Sequence, residues 1–475
     1  MTHFILNNRN ICTEFPSHGA VLDFLRHSQR LMGAKEGCRE GACGSCLILV
    51  GETDGDAMSY EAINSCLLPL AEVDGKHVVT IEGLNDRNNR ALNPIQQMIV
   101  IEGATQCGYC TPGIVLALTG FFLGNPHPDE NEAIAAISGN LCRCTGYQSI
   151  KRAVARLCGI LFRSDSSDGG AHVDWLVEQK ILPNWFLGIP HRLRELPASP
   201  NAPSEISPKT MIVGGGTDLW VQKSDALSHA DLIYLSRRKA LQGIRIEGER
   251  CLIGATTTFE EIQDSPIMQG FFPRIREYFK LMASQPIRRR GTVGGNIVNA
   301  SPIGDLSIFF LALDASVRLN DGQDQRELAL QDFFEGYKRL AKKDSEFVEE
   351  IRFPLPAKNT YFNFEKVSKG AHLDIASVNS AIQITMDNGV IRQIHLSAGG
   401  VAPIPLYLSE TINYLIGKEI DPDSVREAGS IAQSEIFPIS DVRGSAQYKH
   451  LLLRQLIYAH FMTLFPERIA LGALR

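Results

Sequence analysis

The sequence predicts a multidomain α+β protein, and three observations carry that prediction. The chain has 475 residues, enough for two to four domains at roughly 100–200 residues each. Its hydrophobic fraction of 44% and charged fraction of 21% are those of a chain that buries ordinary cores. Its texture also changes along its length, from short apolar runs set between turn residues to helix-spaced apolar positions, and later back to a mixture of both. A net charge of −6 argues against nucleic-acid binding driven by bulk charge. No run of about 18 apolar residues is present, so no membrane span is expected. Residues 1–10 lack a basic stretch followed by an apolar one. No secretory signal is therefore expected, and the chain reads as cytoplasmic with reduced thiols.

Residues 1–88 read as a small strand-rich unit. Phe4, Ile5 and Leu6 open a strand, Asn7-Asn8-Arg9-Asn10 a turn, and residues 11–15 a return strand. Val21, Leu22, Phe24 and Leu25 fit one face of a short helix, and residues 47–50 and 78–81 read as buried strands. Residues 89–162 read as all-helical. Helices are expected after Asn93-Pro94, after Thr111-Pro112 with Thr111 as cap, over 129–137 and over 149–162. Residues 163–195 read as a linker, beginning with the small polar run at 164–170, and prolines crowd 196–208. From about 209 short strands alternate with helices. A boundary near Pro354-Leu355-Pro356 divides 196–355 from 356–475.

The cysteines are the first chemical signal. Nine of the 11 precede residue 150, and eight of those form two clusters. Cys38, Cys43 and Cys46 follow C-x4-C-x2-C, and Cys66 follows after 19 intervening residues. This is the spacing of plant-type 2Fe–2S ferredoxins. Three thiolates must converge from one tight loop, and the glycines at 37, 41 and 44 let the backbone make that turn. Zinc is the rival, although zinc loops favour paired C-x2–4-C arms. The second cluster is Cys107-Gly108-Tyr109-Cys110 with Cys142-Arg143-Cys144. Its spacing alone leaves both iron–sulfur and zinc open. Cys12, Cys158 and Cys251 fit no ligand spacing and are expected to be buried structural thiols.

Two glycine runs form the second signal. Ile212-Val213-Gly214-Gly215-Gly216-Thr217-Asp218-Leu219 exposes backbone N–H groups that can cradle a pyrophosphate, but its spacing is not G-x-G-x-x-G. Thr292-Val293-Gly294-Gly295-Asn296 leads to Ser301 and Asp305, which add hydroxyl, amide and carboxylate groups suited to phosphate, ribose or adenine.

Taken together, these strings resemble the molybdenum hydroxylases, a family that includes xanthine dehydrogenase, aldehyde oxidoreductase and carbon monoxide dehydrogenase. The strings around Cys107 and Cys142 resemble the family's second iron–sulfur domain, and the Cys38 loop resembles its ferredoxin domain. Residues from about 209 to 460 resemble its FAD domain, including Lys366-Val367-Ser368-Lys369 and Asp374-Ile375-Ala376. The resemblance implies a β-grasp 2Fe–2S ferredoxin domain, a four-helix 2Fe–2S domain and a two-part α+β FAD-binding half with a C-terminal α+β subdomain. It implies FAD contacts from residues 212–219 and 292–296 and from Ser301, Asp305 and Lys366. Asp374 would lie near the isoalloxazine ring, and Gln106 near the pterin of a molybdenum cofactor. Ten residues before Thr292 the family's xanthine dehydrogenases carry an adenine-stacking aromatic. This chain has Met282, with Phe279 or Tyr278 as possible substitutes.

The domain order resembles the small subunit of two-chain bacterial xanthine dehydrogenases. That implies an electron-transfer chain with no substrate-oxidising residues of its own. Electrons would run from molybdopterin on a large partner subunit through two 2Fe–2S clusters to FAD and then NAD, in a heterotetramer of two small and two large chains. The supported reaction would be hypoxanthine to xanthine and xanthine to urate. The same role for another N-heterocycle or an aldehyde stays open, as does a non-catalytic metal-binding redox sensor.

Overall fold

The computed structural model describes the chain except residues 55–56, 86–90, 163–168, 198–209, 228, 371–372 and 475. Most of the polar run at 164–170 and of the proline stretch at 196–208 therefore lies outside the described residues. The chain divides into two compact units. The first comprises Met1–Ser204, Gly216–Leu232 and Ser284–Arg290, and the second Glu205–Gly215, Ile233–Ala283 and Gly291–Arg475.

The first unit opens with the expected hairpin, β1 (Thr2–Leu6) and β2 (Arg9–Thr13). Leu6 pairs with Arg9, so the turn is only Asn7-Asn8, and Asn7 takes a left-handed φ of 53° that asparagine tolerates. The strands β3 (Leu47–Asp54), β4 (Ala57–Asn64) and β5 (His77–Val79) complete a mixed sheet in the order β2-β1-β5-β3-β4. Its parallel pair is β1 with β5. Sequence reading does not find β4. Its AMSYEAIN string has no strong apolar alternation, and its strand state comes from pairing with β3 from Leu47↔Asn64 to Asp54↔Ala57.

Four helices follow, as expected: Pro94–Ile101, Thr111–Gly124, Glu130–Ala136 and Gln148–Ile160. Asn93 and Gln96 close a reciprocal capping box on the first, and Asp129 caps the third. The second helix starts one residue earlier than the Thr111-Pro112 signal suggests, with Cys110 at its cap. Its residues from Gly113 to Phe122 are buried on every side, as a helix packed between layers must be. Gly120 faces the sheet, where a Cβ would stand 2.9 Å from Leu49 Cδ2. Sheet and helices bury one continuous core that joins Leu47, Leu49 and Val79 to Ile114, Leu118, Phe122, Ile150 and Val154.

The stretch expected as a linker is helical where it is described. It carries Gly169–Glu178, a 3₁₀ turn at Asn184–Gly188 and Ile189–Arg194. Phe186 packs 5.5 Å from both Tyr60 and His77, so part of this stretch seals the ferredoxin-like sheet.

In the second unit strands and helices alternate in groups rather than singly. Its first sheet is wholly antiparallel, in the order Gln325–Ala329, Ser316–Asn320, Phe347–Pro354, Arg250–Gly254, Ile244–Glu247. Helices supply Phe279, Ile297 and Phe309 to a core shared with Ile253, Val317, Ile351 and Phe353 of that sheet. The sheet ends at Pro354. A second antiparallel sheet runs Thr360–Val367, Val378–Asp387, Val390–Gly399, Leu406–Tyr407, and Pro422–Ser434 and Ala446–Leu464 share its core. Among the described residues no helix is long and apolar enough to cross a membrane.

Candidate functional site

The first thiol loop is built by backbone that few residue types can adopt. Arg39, Gly41 and Gly44 have φ of 57°, 75° and 66°. Arg39 is held in that conformation by Asp23 at 2.5 Å and Glu36 at 2.8 Å. Gly37 leaves room for the thiols, since a Cβ there would stand 2.8 Å from Cys43 Sγ. Asn64 donates to Gly41 O at 3.2 Å, and Ser65 Oγ donates to Cys46 O at 2.6 Å, so the end of β4 braces the loop. Within this frame the thiols meet in pairs. Cys38 lies close enough to Cys43, and Cys46 to Cys66, for each thiol to perturb the other. The Cys66 contact holds Cys46 below the ordinary thiol value and pushes Cys66 above it, while burial pushes Cys43 up.

The second set also forms two pairs, Cys107 with Cys144 and Cys110 with Cys142. Gly108 at φ 77°, Gly146 at 62° and Tyr147 at 66° turn the two short arms. The Tyr109 N–H, and then Cys144, hold the Cys107 thiol below its ordinary value, with a smaller contribution from the Lys35 charge. Burial pushes Cys110 up to about 12. At Cys142 burial acts upward, but hydrogen bonds from Thr145 prevail and hold it down, with Thr145 Oγ1 at 3.1 Å. Cys107, Cys144, Gln106, Tyr109 and Leu141 form an exposed end.

The two loops interlock. Leu141 N–H donates to Cys43 O at 2.9 Å, and Asn140 Nδ2 donates to Gly44 O at 3.1 Å. A Cβ on Gly113 would stand 2.1 Å from Gly44 O, and one on Gly44 would stand 2.4 Å from Gly139 O. A cysteine of one set is thus one hydrogen bond from the residue preceding a cysteine of the other. Sequence reading misses Asn64 and Asn140, because their partners lie 23 and 96 residues away and leave no local pattern.

A two-iron cluster takes two thiolates on each iron, and each four-thiol set presents two pairs. Among the described residues no three His, Cys, Asp or Glu side chains close on a single point that would hold one metal ion. Two thiol pairs per set are the donor arrangement that a binuclear sulfide-bridged group would use.

In the second unit the two glycine runs meet, although about 80 residues separate them. A Cβ on Gly214 would stand 2.7 Å from Thr292 Oγ1, and one on Gly295 would stand 2.8 Å from the same atom. Thr292 Oγ1 also accepts from Gly295 N–H at 3.2 Å. Asn296 Oδ1 is buried without a protein partner beside Gly304, as a group reserved for a ligand would be. Ser301 Oγ accepts from Ile303 N–H at 3.3 Å. Asp305 is gripped on both oxygens, by Lys366 Nζ at 2.7 Å and by Asn379 Nδ2 at 2.6 Å, and Lys366 also donates to Leu281 O at 2.7 Å. Lys366 keeps one donor, and the Asp305 carboxylate keeps free lone pairs. Asp374 is half-buried. Gly216, at φ 77°, belongs with Thr217, Asp218 and Leu219 to the first unit, where Asp218 accepts from Gln222 at 2.9 Å. The close approach of the two glycine runs and the unpartnered Asn296 oxygen are features that a dinucleotide cofactor could use.

Two expectations need correction. Cys12 is exposed, with its thiol 3.6 Å from Met1 Sδ, because β2 is an edge strand whose outward side chains meet solvent; Cys158 and Cys251 are buried as expected. The adenine-stacking substitutes also fail. Met282 and Phe279 are 0% exposed and Tyr278 3%, and Phe279 is packed edge-on against Phe259 and Phe309. No ring face is left for a ligand there.

Four family models match successive stretches of the chain. They describe a 2Fe-2S iron-sulfur cluster binding domain (residues 4–71), a [2Fe-2S] binding domain (80–155), an FAD binding domain in molybdopterin dehydrogenase (189–356) and a CO dehydrogenase flavoprotein C-terminal domain (363–464). The chain belongs to the molybdenum hydroxylase family. Within it, this molybdenum hydroxylase chain is 28% identical to a xanthine dehydrogenase of Emericella nidulans, over 93% of this chain and 37% of that protein. It is 23% identical to aldehyde oxidase 2 of Macaca fascicularis, over 98% of this chain and 39% of that protein. It thus spans about two fifths of the length of the curated relatives it matches. Among solved structures it resembles a chain of carbon monoxide dehydrogenase from Hydrogenophaga pseudoflava. That likeness has a TM-score of 0.52 and 28% identity and covers 55% of this chain and 91% of that one. The two thiol sets fall one in each iron–sulfur model, and both glycine runs fall in the FAD model.

Proposed function

We propose that this chain is the electron-transfer subunit of a xanthine dehydrogenase. In this reading Cys38, Cys43, Cys46 and Cys66 hold one 2Fe–2S cluster, and Cys107, Cys110, Cys142 and Cys144 hold the other. Residues 212–219 and 292–296, with Ser301, Asp305 and Lys366, hold FAD. A large partner subunit carries molybdopterin and oxidises hypoxanthine and xanthine, and NAD is the final acceptor. When bound, the clusters supply one-electron relays, and the flavin supplies the exchange between one-electron and two-electron chemistry.

The observation that carries the reading is the pairing of the eight thiols in two interlocked loops. The chain's own residues then have definite tasks. Gly41, Gly44 and Gly108 bring backbone close to the ligands. Leu141 and Asn140 fix the spacing of one ligand loop against the other. The exposed end at Gln106, Tyr109, Leu141 and Cys144 is the face offered to the partner. A second reading has the same chain serving a partner that oxidises an aldehyde or another N-heterocycle. The aldehyde oxidase relative favours it, because the residues that choose substrate would lie on the partner in either case.

Anaerobic purification tests the cofactor reading. The chain is expected to hold about four irons, four acid-labile sulfides and one FAD. Alone it should not oxidise xanthine, and adding the partner should restore turnover. Stoichiometric zinc without labile sulfide would refute the iron–sulfur assignment, and urate formation by the isolated chain would refute the division of labour.

A further inference from the structure

Lys35 links the two ligand loops, with its backbone in one and its charge in the other. Its N–H donates to Ser45 O at 2.9 Å, between Cys43 and Cys46. Its side chain crosses to the second loop, where Nζ donates to Gly108 O at 2.7 Å, between Cys107 and Cys110. The ammonium also lies 5.1 Å from the Tyr109 ring centre. Tyr109 OH returns a hydrogen bond to Glu36 O, so the crossing is closed on both sides. Glu36, the nearest carboxylate in sequence, is engaged by Arg39 at 2.8 Å, and among the described residues Lys35 has no ion-pair partner.

Resting on the reading of the eight cysteines as two cluster sites, we propose that Lys35 raises the reduction potential of the cluster held by Cys107, Cys110, Cys142 and Cys144 relative to that of the other cluster, and so sets the driving force between them. Reduction adds one negative charge to a 2Fe–2S cluster, and net charge and hydrogen bonding near the sulfurs are what a protein uses to tune it. A cation placed between two ligands of one loop stabilises the reduced form of that cluster. The first loop is bonded by the Lys35 backbone and the second by its ammonium, so the effect is larger on the second cluster. Solvent screens the charge on the free chain. A partner that covers the exposed end, where Tyr109 is 44% exposed, lowers the local dielectric and strengthens the effect.

The test is a redox titration of the full, cluster-loaded chain, following both clusters by electron paramagnetic resonance and visible absorption. Lys35→Met should shift the reduction equilibrium of the second cluster at least tenfold toward the oxidised form, about 59 mV for a one-electron couple. The first cluster should move by less than a third of that. Lys35→Arg should restore the wild-type potential, and Tyr109→Phe, which keeps the charge, should leave it in place. An unmoved second cluster in Lys35→Met would overturn the proposal. So would equal shifts in both clusters, or a shift in Tyr109→Phe as large as in Lys35→Met. Lys35→Gln is the second neutral variant. Loss of half the iron from both neutral variants would overturn the tuning role, because the ammonium would then be needed for assembly. A wild-type chain without labile sulfide would instead overturn the cluster reading on which the proposal rests.

Discussion

Asp305, Lys366 and Asn379 show how single residues are committed by neighbours far away in sequence. The Lys366 side chain is 2% exposed and that of Asp305 14%, so each charge depends on the other. Removing one partner of such a pair leaves the other buried and unpaired, at about 3–5 kcal/mol when fully enclosed and less beside an open cradle. Lys366→Met is therefore expected to lower the unfolding free energy of the loaded chain by about 2 kcal/mol. It should also weaken FAD binding at least tenfold, with iron content unchanged. Urea unfolding and flavin fluorescence titration read the two effects, and wild-type FAD affinity in the variant would remove Lys366 from the flavin site. Asp305 and Lys366 could be picked out in the sequence because they sit in strings that resemble a known family. Asn379 could not, because an asparagine in a strand announces nothing until the strand brings it 2.6 Å from Asp305. Met282 is the opposite case, since its position in sequence suggested a ligand contact and its full burial gives it to the core.

At the scale of elements, stops and starts with a local chemical cause were readable, and pairings between distant segments were not. Asn93-Pro94 and Asp129 announce their helices because the cap is a short-range hydrogen bond. The strand β4 and the antiparallel order of the second unit's first sheet were not readable, because both are decided by partners far off in the chain. The same holds for the core that fuses the ferredoxin-like sheet with the helical segment. That fusion makes the glycines between the loops a mechanical joint. Gly113 lies in the first turn of Thr111–Gly124, and a methyl group there would meet the Gly44 carbonyl at 2.1 Å, which is backbone and cannot rotate away. Gly113→Ala is thus expected to cost about 3 kcal/mol through overpacking. Because the displaced carbonyl lies between Cys43 and Cys46, cluster absorbance should bleach at lower temperature in the variant. Ala at Gly103, where φ is 61° but no atom lies within 4 Å, strains the backbone without touching the loops and should leave the midpoint of cluster loss closer to wild type. Equal bleaching in both variants would mean that backbone strain, not the joint, governs cluster retention.

For the whole molecule the open choice is the acceptor. In the proposed function electrons would leave from this chain, and the groups beside the flavin would decide where they go. Hydride transfer to NAD needs the nicotinamide held close against the flavin, so access to the ring and local charge set the preference for NAD over oxygen. By family resemblance Asp374 would lie beside the ring. The Lys366 ammonium, a candidate to offset the Asp374 charge, is engaged by Asp305 and the Leu281 carbonyl. A carboxylate there would disfavour extra negative charge on the ring. NAD is therefore the expected acceptor, with slow oxygen use. Asp374→Ala should change NAD reduction by several-fold while leaving an artificial dye that draws electrons from the clusters nearly untouched. Steady-state turnover of the reconstituted complex, with NAD and then with air alone, is the measurement. Equal rates with both acceptors would make the complex oxidase-like. An equal loss with NAD and with the dye would place the effect of Asp374 upstream of the flavin, because a group that acts at the ring cannot slow a dye that is reduced before electrons reach it.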